Sequence, residues 1–257
     1  MSLVYEKNGP VAVVRLNRPD ALNSIDPPTR DALRDAWIDI ARDDAVRVAI
    51  LTGTGDKAFC TGTDLRASPS PTGSFAEQML TTGKRNLTDG MQMPKPIIAA
   101  INGYAMGGGL ELALACDLRI ATDNASFALS EVKLGSLAGS GGTQRLIRAI
   151  PQAVAMKMLL TGERIDAREA HRVGLVSDVT PPDQLMPLAL QLAERICDNA
   201  PLSVRATKLA ALRGREMSID GGLALEQSLF GLLRDTEDRA EGRKAFAEKR
   251  KPRYKGR

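Results

Sequence analysis

Glu111 is flanked by Leu110, Leu112, Ala113, Leu114 and Ala115. A helix that is apolar all round is a buried helix. A carboxylate inside it is costly unless it is paired, hydrogen-bonded or protonated. Two readings stay open: Glu111 caps a helix or pairs with a distant arginine, or it is an acid/base group. Glu131 poses the same question. In Phe127-Ala128-Leu129-Ser130-Glu131, strand alternation puts Glu131 on the face of Phe127 and Leu129, unless the element ends there and the side chain turns outward. If the two carboxylates meet, their pKa values are driven apart, which suits acid/base work on one water.

Gly107-Gly108-Gly109 precedes Glu111. Three glycines before an apolar helix cost backbone entropy. They allow another molecule to approach bare N–H groups at a helix N-terminus, where negative charge is favoured; tight helix–strand packing is the other reading. A glycine N-terminus one turn before a buried glutamate would fix an oxyanion donor and an acid/base on one rigid element. Other chemistries lack their residues. His171, the single histidine, sits among Arg168, Glu169 and Arg172 and reads as helix surface, and there is no G-x-S-x-G elbow. No Cys/His cluster has metal-ligand spacing, so no metal is expected, and neither a Walker A pattern nor G-x-G-x-x-G is present.

The elements that must position these residues follow from periodicity and breakers. Val4 to Glu6 and Val11 to Leu16 flank Asn8-Gly9, a hairpin signal. Asp26 before Pro27-Pro28 predicts a helix start, with Leu33, Trp37, Ile40 and Ala41 as its apolar stripe. Val46 to Thr52, Ala58 to Cys60, Ile97 to Ile101, Asp117 to Thr122 and Ser126 to Val132 read as extended, and Leu110 to about Cys116 as a helix. Ser68 to Gly73 reads as a mobile loop, followed by a helix ending before Pro94. From Gly142 the pattern is mostly helical, and from about Pro201 helical alone. Strand–helix alternation recurs over 46–64, 97–116 and 118–150, which suggests stacked ββα units. The expected organisation is a core over 1–200 and a helical region over 201–257.

The chain has 257 residues, 43% of them apolar, enough for a sizeable core. Cys60, Cys116 and Cys197 read as free thiols of a reducing compartment. With no secretory pattern at the N-terminus and no bilayer-length apolar run, a cytoplasmic protein without membrane contact is expected. Nine Lys/Arg and two Glu lie between Arg239 and Arg257, a local charge of +7 that leaves −3 for the rest of a chain of net charge +4. The tail is either a solvated helix end or attracts an anion, nucleic acid or a small phosphorylated molecule. Phe246 and Tyr254 are thin for a base-stacking surface, so no nucleic acid is expected.

Several segments, in order, resemble the crotonase (enoyl-CoA hydratase/isomerase) family. Asn17-Arg18-Pro19-Asp20-Ala21-Leu22-Asn23 resembles its N-R-P-x-A-x-N opening, and Lys57-Ala58-Phe59-Cys60-Thr61-Gly62-Thr63-Asp64-Leu65 its K-A-F-x-x-G-A-D-[IL] segment. Pro96 to Gly109, Ser140 to Leu146, Leu160 to Gly162, Gly174 to Val176 and Ala245 to Pro252 follow. The resemblance spans essentially the whole chain.

It implies a crotonase-like α/β fold, a spiral of ββα units with a C-terminal helical trimerisation region, and hence a homotrimer or homohexamer. The ligand would be an acyl-CoA, with coenzyme A part of the substrate and no permanently bound cofactor. CoA contacts would come from Asp20, Ala21, Leu22 and Ala58, from Thr61, Asp64 and Leu65 in the second segment, and from Phe246 and Lys249 of a neighbouring subunit. Backbone N–H groups of Thr63 and Gly108 would hold the thioester oxygen, and Glu111 and Glu131 would match the two glutamates of hydrating members. The implied reaction is reversible hydration of a 2-enoyl-CoA. Carnitinyl-CoA dehydratase-like chemistry, double-bond isomerisation and, more distantly, a non-catalytic CoA- or RNA-binding role are the alternatives. Two departures bear on the acyl preference: Thr63 replaces the usual Ala, and Ala138-Gly139-Ser140-Gly141-Gly142 replaces Pro-Gly-Ala-Gly-Gly.

Overall fold

The computed structural model describes residues 1–67, 74, 76, 80 and 86–257. The loop reading of Ser68 to Gly73, and most of the helix expected after it, lie outside the described residues. Strands β1 (Leu3–Asn8) and β2 (Val11–Leu16) form an antiparallel hairpin in which Asn8 faces Val11. The turn is thus Gly9-Pro10, one residue beyond the expected pair. Helix α1 (Pro27–Arg42) is capped by Asp26, whose side chain accepts from the Thr29 amide at 2.9 Å. Its buried stripe is Leu33, Ala36, Trp37 and Ile40, whereas Ala41, expected inside, is exposed. Ala36 sits three positions from Leu33 and four from Ile40 and so shares their face, while Ala41 lies past its edge.

The chain then alternates between two sheets. Strand β3 (Val48–Gly53) is followed by β4 (Ala58–Cys60), and β5 (Ile97–Ile101) by β6 (Tyr104–Met106) and helix α2 (Gly108–Ala115). Next come β7 (Leu118–Thr122), β8 (Ser126–Ala128), α3 (Gly142–Ala149), α4 (Gln152–Thr161), β9 (Ile165–Asp166), α5 (Ala167–Arg172) and β10 (Asp178–Thr180). Helices α6 (Leu185–Cys197), α7 (Pro201–Gly214), α8 (Ile219–Leu233) and α9 (Glu237–Ala247) complete it. Among the described residues one sheet runs β1-β2-β3-β5-β7-β10 and the other β4-β6-β8-β9. From β3 to β8 each turn of the chain adds one parallel strand to each sheet, the recurring ββα unit expected from the sequence, while β9 joins β8 antiparallel.

Burial explains why β3 and β5 read as unbroken apolar runs. Both faces of the larger sheet are covered. Ala49, Leu51, Ile97, Ala99 and Ile101 face the main core between the sheets. Ile50, Ile98 and Ala100 face Leu185, Ala189 and Ala193 of α6. No described helix is long and apolar enough to cross a membrane.

One local expectation fails. β8 ends at Ala128, and Glu131 begins a short 3-10 turn over Glu131–Leu134. Ser130, at φ −101° and ψ 12°, has left the extended region, so the two-residue period stops before it reaches Glu131. The alternation placed Glu131 by the wrong rule.

Candidate active site

α2 starts at Gly108, and Glu111 sits one turn in, 3% exposed. The arginine pairing left open above is not found. Instead, Glu111 Oε1 accepts from the backbone amides of Ser140 at 2.6 Å and Gly142 at 2.9 Å. Those amides lie at the start of α3, where unpaired N–H groups favour an anion. The turn that presents them depends on Gly141, at φ +104°, a conformation that L side chains rarely adopt. No letter of the sequence marks a backbone donor, so this partner was invisible; only the Gly141-Gly142 pair hinted at it.

Glu131 approaches the same cleft from the other side. A methyl group on Gly107 would lie 3.1 Å from its Oε1, and the Gly107 carbonyl accepts from the Glu111 amide at 3.0 Å. Leu129 Cδ1 and Glu111 Cγ both border Gly142. Unlike Glu111, Glu131 is poorly served: its Oε2 is buried with no hydrogen-bond partner. Burial pushes its carboxyl above the usual glutamate range. A hydrogen bond from its own amide opposes this, and the charge of Glu111 adds to it. The glutamates thus sit close enough to interact, in unequal settings.

The glycines of the run are placed differently. A side chain at Gly109 would be driven into the Cys60 carbonyl, so that position is tight helix–strand packing. The amide of Gly108, first in the helix, has no acceptor among the described residues, and neither has that of Thr63. The residues meet across the cleft: a Cβ on Gly108 would lie 3.6 Å from Thr63 N and one on Gly62 2.8 Å from Gly108 N. The Ile25–Thr63 bridge explains why Thr63 N is spare. Ile25 N donates to Gly62 O and Asp64 N donates to Ile25 O, which turns the Thr63 amide away from that pairing.

Asp20 and Ala21 lie in a short 3-10 turn over Pro19–Ala21, Leu22 follows it at φ +51°, and the Thr61 hydroxyl donates to Leu22 O at 3.3 Å. Arg18 joins this segment to Asp64 at 2.9 Å, and holds the Asp64 carboxyl below its usual range. Ala58 is buried and Leu65 is exposed. Two residues not singled out from the sequence lock the arrangement. Asn23 and Asn102 both donate through their side-chain amides to Ala58 O, at 2.7 and 3.2 Å, and both are buried. Buried asparagines must spend their amides on something, and each ends or follows a quoted motif, so the signal was present. Phe246 and Lys249 do not join this group by any hydrogen bond or ion pair. Phe246 is 88% exposed, and the tail folds onto α9 instead, with Lys255 N and Gly256 N donating to Asp238.

Beside Glu131 opens a cavity of about 330 Å³, lined by Leu129, Val132, Leu137, Ile147, Met156 and Leu159 among others. Among its described lining residues, Glu131 and Thr143 bring polar side chains. A larger hollow of about 720 Å³ under the tail is bordered by charges such as Arg250, paired with Glu241, and by none of the candidate catalytic or CoA-contacting residues.

Two neighbouring carboxylates, two amides without acceptors near each other and an apolar cavity beside Glu131 are groups suited to proton transfer next to an activated carbonyl. Residues 6–257 match the family model described as enoyl-CoA hydratase/isomerase. The chain belongs to that family. It is 57% identical to an (E)-benzylidenesuccinyl-CoA hydratase of Thauera aromatica, with all of both chains covered. It is 40% identical to a crotonyl-CoA hydratase of Syntrophomonas wolfei subsp. wolfei, covering 98% of this chain and 97% of that one. Among solved structures, an enoyl-CoA hydratase from Bacillus anthracis superposes with a TM-score of 0.93 at 39% identity over all of both chains. The ββα spiral is therefore the crotonase fold.

Proposed function

We propose that the chain adds water reversibly across the 2,3 double bond of an enoyl-CoA thioester, giving a 3-hydroxyacyl-CoA. The observation that carries this reading is the unequal pair of glutamates facing the two spare amides. As water attacks C3, negative charge grows on the thioester oxygen. The N–H groups of Thr63 and Gly108 are free to receive it, each such donor being worth on the order of 10²–10³ in rate. Glu111, fixed by two amides, orients the water as an acceptor. Glu131, short of donors and raised by burial, exchanges the proton between water and C2. Asp20, Ala21 and Leu22, at and just after the 3-10 turn, with Thr61 and the Asp64 region, carry the CoA moiety. Phe246 and Lys249 are left to a neighbouring copy.

The acyl group in this reading is bulky. A cavity of roughly 150 Å³ accommodates benzene, so about 330 Å³ lined mainly by apolar residues has room for an aryl group with substituents. The relative named for benzylidenesuccinyl-CoA fits that size. The test is a panel of benzylidenesuccinyl-CoA, crotonyl-CoA and a 3-enoyl-CoA, followed by loss of conjugated-thioester absorbance and by product mass. The aryl substrate is expected to give a kcat/KM at least roughly tenfold above crotonyl-CoA. Faster conversion of the 3-enoyl-CoA than hydration of either would assign the chain to isomerisation instead. No turnover by folded protein on any of the three would reject the proposal.

Assembly belongs to the same reading. Ile219, Leu223 and Phe230 leave one side of α8 apolar and exposed, with Leu212 of α7 exposed as well, more than a lone soluble chain usually shows. A trimer or hexamer joined through the C-terminal helices covers it. Light scattering is expected to give three or six times the 27.6 kDa of one chain; a monomer at micromolar concentration would contradict this.

A further inference from the structure

The geometry points to Arg145 as the residue that positions Glu111, holding from behind the turn whose amides grip that carboxylate; this rests on the two-glutamate reading above. Arg145 is half-buried on α3, yet no carboxylate pairs with it among the described residues. A guanidinium taken out of water without an ion-pair partner is costly, so its place needs a reason. Nη1 donates to Ser140 O at 2.9 Å, and the backbone amide of Arg145 donates to Gly141 O at 2.8 Å. The Nη1 end of the guanidinium lies against Gly141, where a Cβ would collide with it. On the opposite side of this same turn, the amides of Ser140 and Gly142 point at Glu111 Oε1. One three-residue turn is held between a cation and the carboxylate it serves.

The charged and titratable groups acting on Arg145 come from α2: Glu111 and the thiol of Cys116. Burial pushes the Cys116 thiol up to about 12, so it is neutral near pH 7 and Glu111 is the anion that Arg145 faces. Arg145 therefore places a fixed positive charge behind Glu111 without contacting it. Glu131, facing Glu111 with an unpartnered oxygen, has no such support. The arginine keeps the two amides aimed at Glu111, while Glu131, raised by burial, is left without a comparable hold. It bonds to the backbone of the turn and forms no ion pair with Glu111 or Glu131, so its role is positioning.

The test compares Arg145→Gln, Arg145→Lys, Glu111→Gln and the double variant Glu111→Gln/Arg145→Gln in the full-length protein. Each is first checked for unchanged circular dichroism and assembly. Arg145→Gln is expected to lower kcat by roughly 10²-fold with KM within about twofold, the scale of a misplaced catalytic group. Arg145→Lys is expected to restore part of kcat, and stands as the test on its own if the glutamine variant misfolds. The double variant is expected to be no slower than Glu111→Gln alone, since the arginine acts through that glutamate. Parental kcat in Arg145→Gln, no rescue by Arg145→Lys or fully additive losses would overturn the proposal. So would a KM increase confined to carboxylate-bearing substrates, because Arg145 would then be a substrate-binding group. Full activity in Glu111→Gln would instead sink the two-glutamate reading beneath it.

Discussion

Glu131→Gln is expected to lower kcat for enoyl-CoA hydration by roughly 10²–10⁴-fold while KM changes little. Glutamine keeps the shape of the side chain but cannot exchange a proton with water or C2. Binding rests on other groups, so the loss falls on the chemical step. The same variant is expected to be more stable than the parent at neutral pH. The folded carboxyl of Glu131 titrates above its unfolded value because burial, and then the charge of Glu111, disfavour its anion. The native state therefore holds a proton that the unfolded chain has released, and stability falls as pH rises from the ordinary glutamate value through the raised one. Removing the ionisable group removes that fall. A melting-temperature series across this window, run with steady-state kinetics on both proteins, checks both parts. An active Glu131→Gln enzyme would move the proton transfer to another group, and a variant that melts lower throughout would contradict the strain assigned to the buried anion.

Gly108→Ala is expected to cost roughly 10²–10³ in kcat, the scale of one lost oxyanion donor, with no loss of stability. The added methyl would enter the gap between the two amide-bearing segments, 3.6 Å from Thr63 N and 3.3 Å from Gly62 Cα. A thioester oxygen held by both amides needs that space. The shortest contact of the methyl is with Leu87 Cδ2 at 2.8 Å, the end of a side chain that can rotate aside. Gly108 opens α2 at an ordinary helical position, where alanine is the better helix former by roughly 0.5–1 kcal/mol. Activity and melting temperature should thus separate. A variant that hydrates at the parental rate would show that the oxygen does not sit between Thr63 and Gly108.

How much of this was legible depended on whether the cause lay in side chains or in the backbone. Unbroken apolar runs at Val48–Gly53 and Ile97–Ile101 read correctly as strands because both faces of their sheet are buried. Glu111 and Glu131 stood out because a carboxylate among leucines and alanines demands an explanation. What held Glu111 did not stand out: its partners are amides of Ser140 and Gly142, which every residue but proline possesses. Glu131 was found by a rule that does not apply to it, since Ser130 breaks the strand first. Ala41 was misplaced because a stripe read by eye ran one residue past the buried face. Phe246 and Lys249 came from resemblance alone, and within one chain the tail packs on α9, where Asp238 takes two of its amides.

The most direct measurement is hydration of a 2-enoyl-CoA in water labelled with heavy oxygen, by the parent protein and by Glu111→Gln and Glu131→Gln. If the two carboxylates activate one water against a thioester held by Thr63 and Gly108, the parent gives a 3-hydroxyacyl-CoA with the label on C3, and neither variant does so at a comparable rate. Unlabelled substrate returned by folded parent protein, a shifted double bond with no oxygen gained, or full labelling by both variants would contradict it.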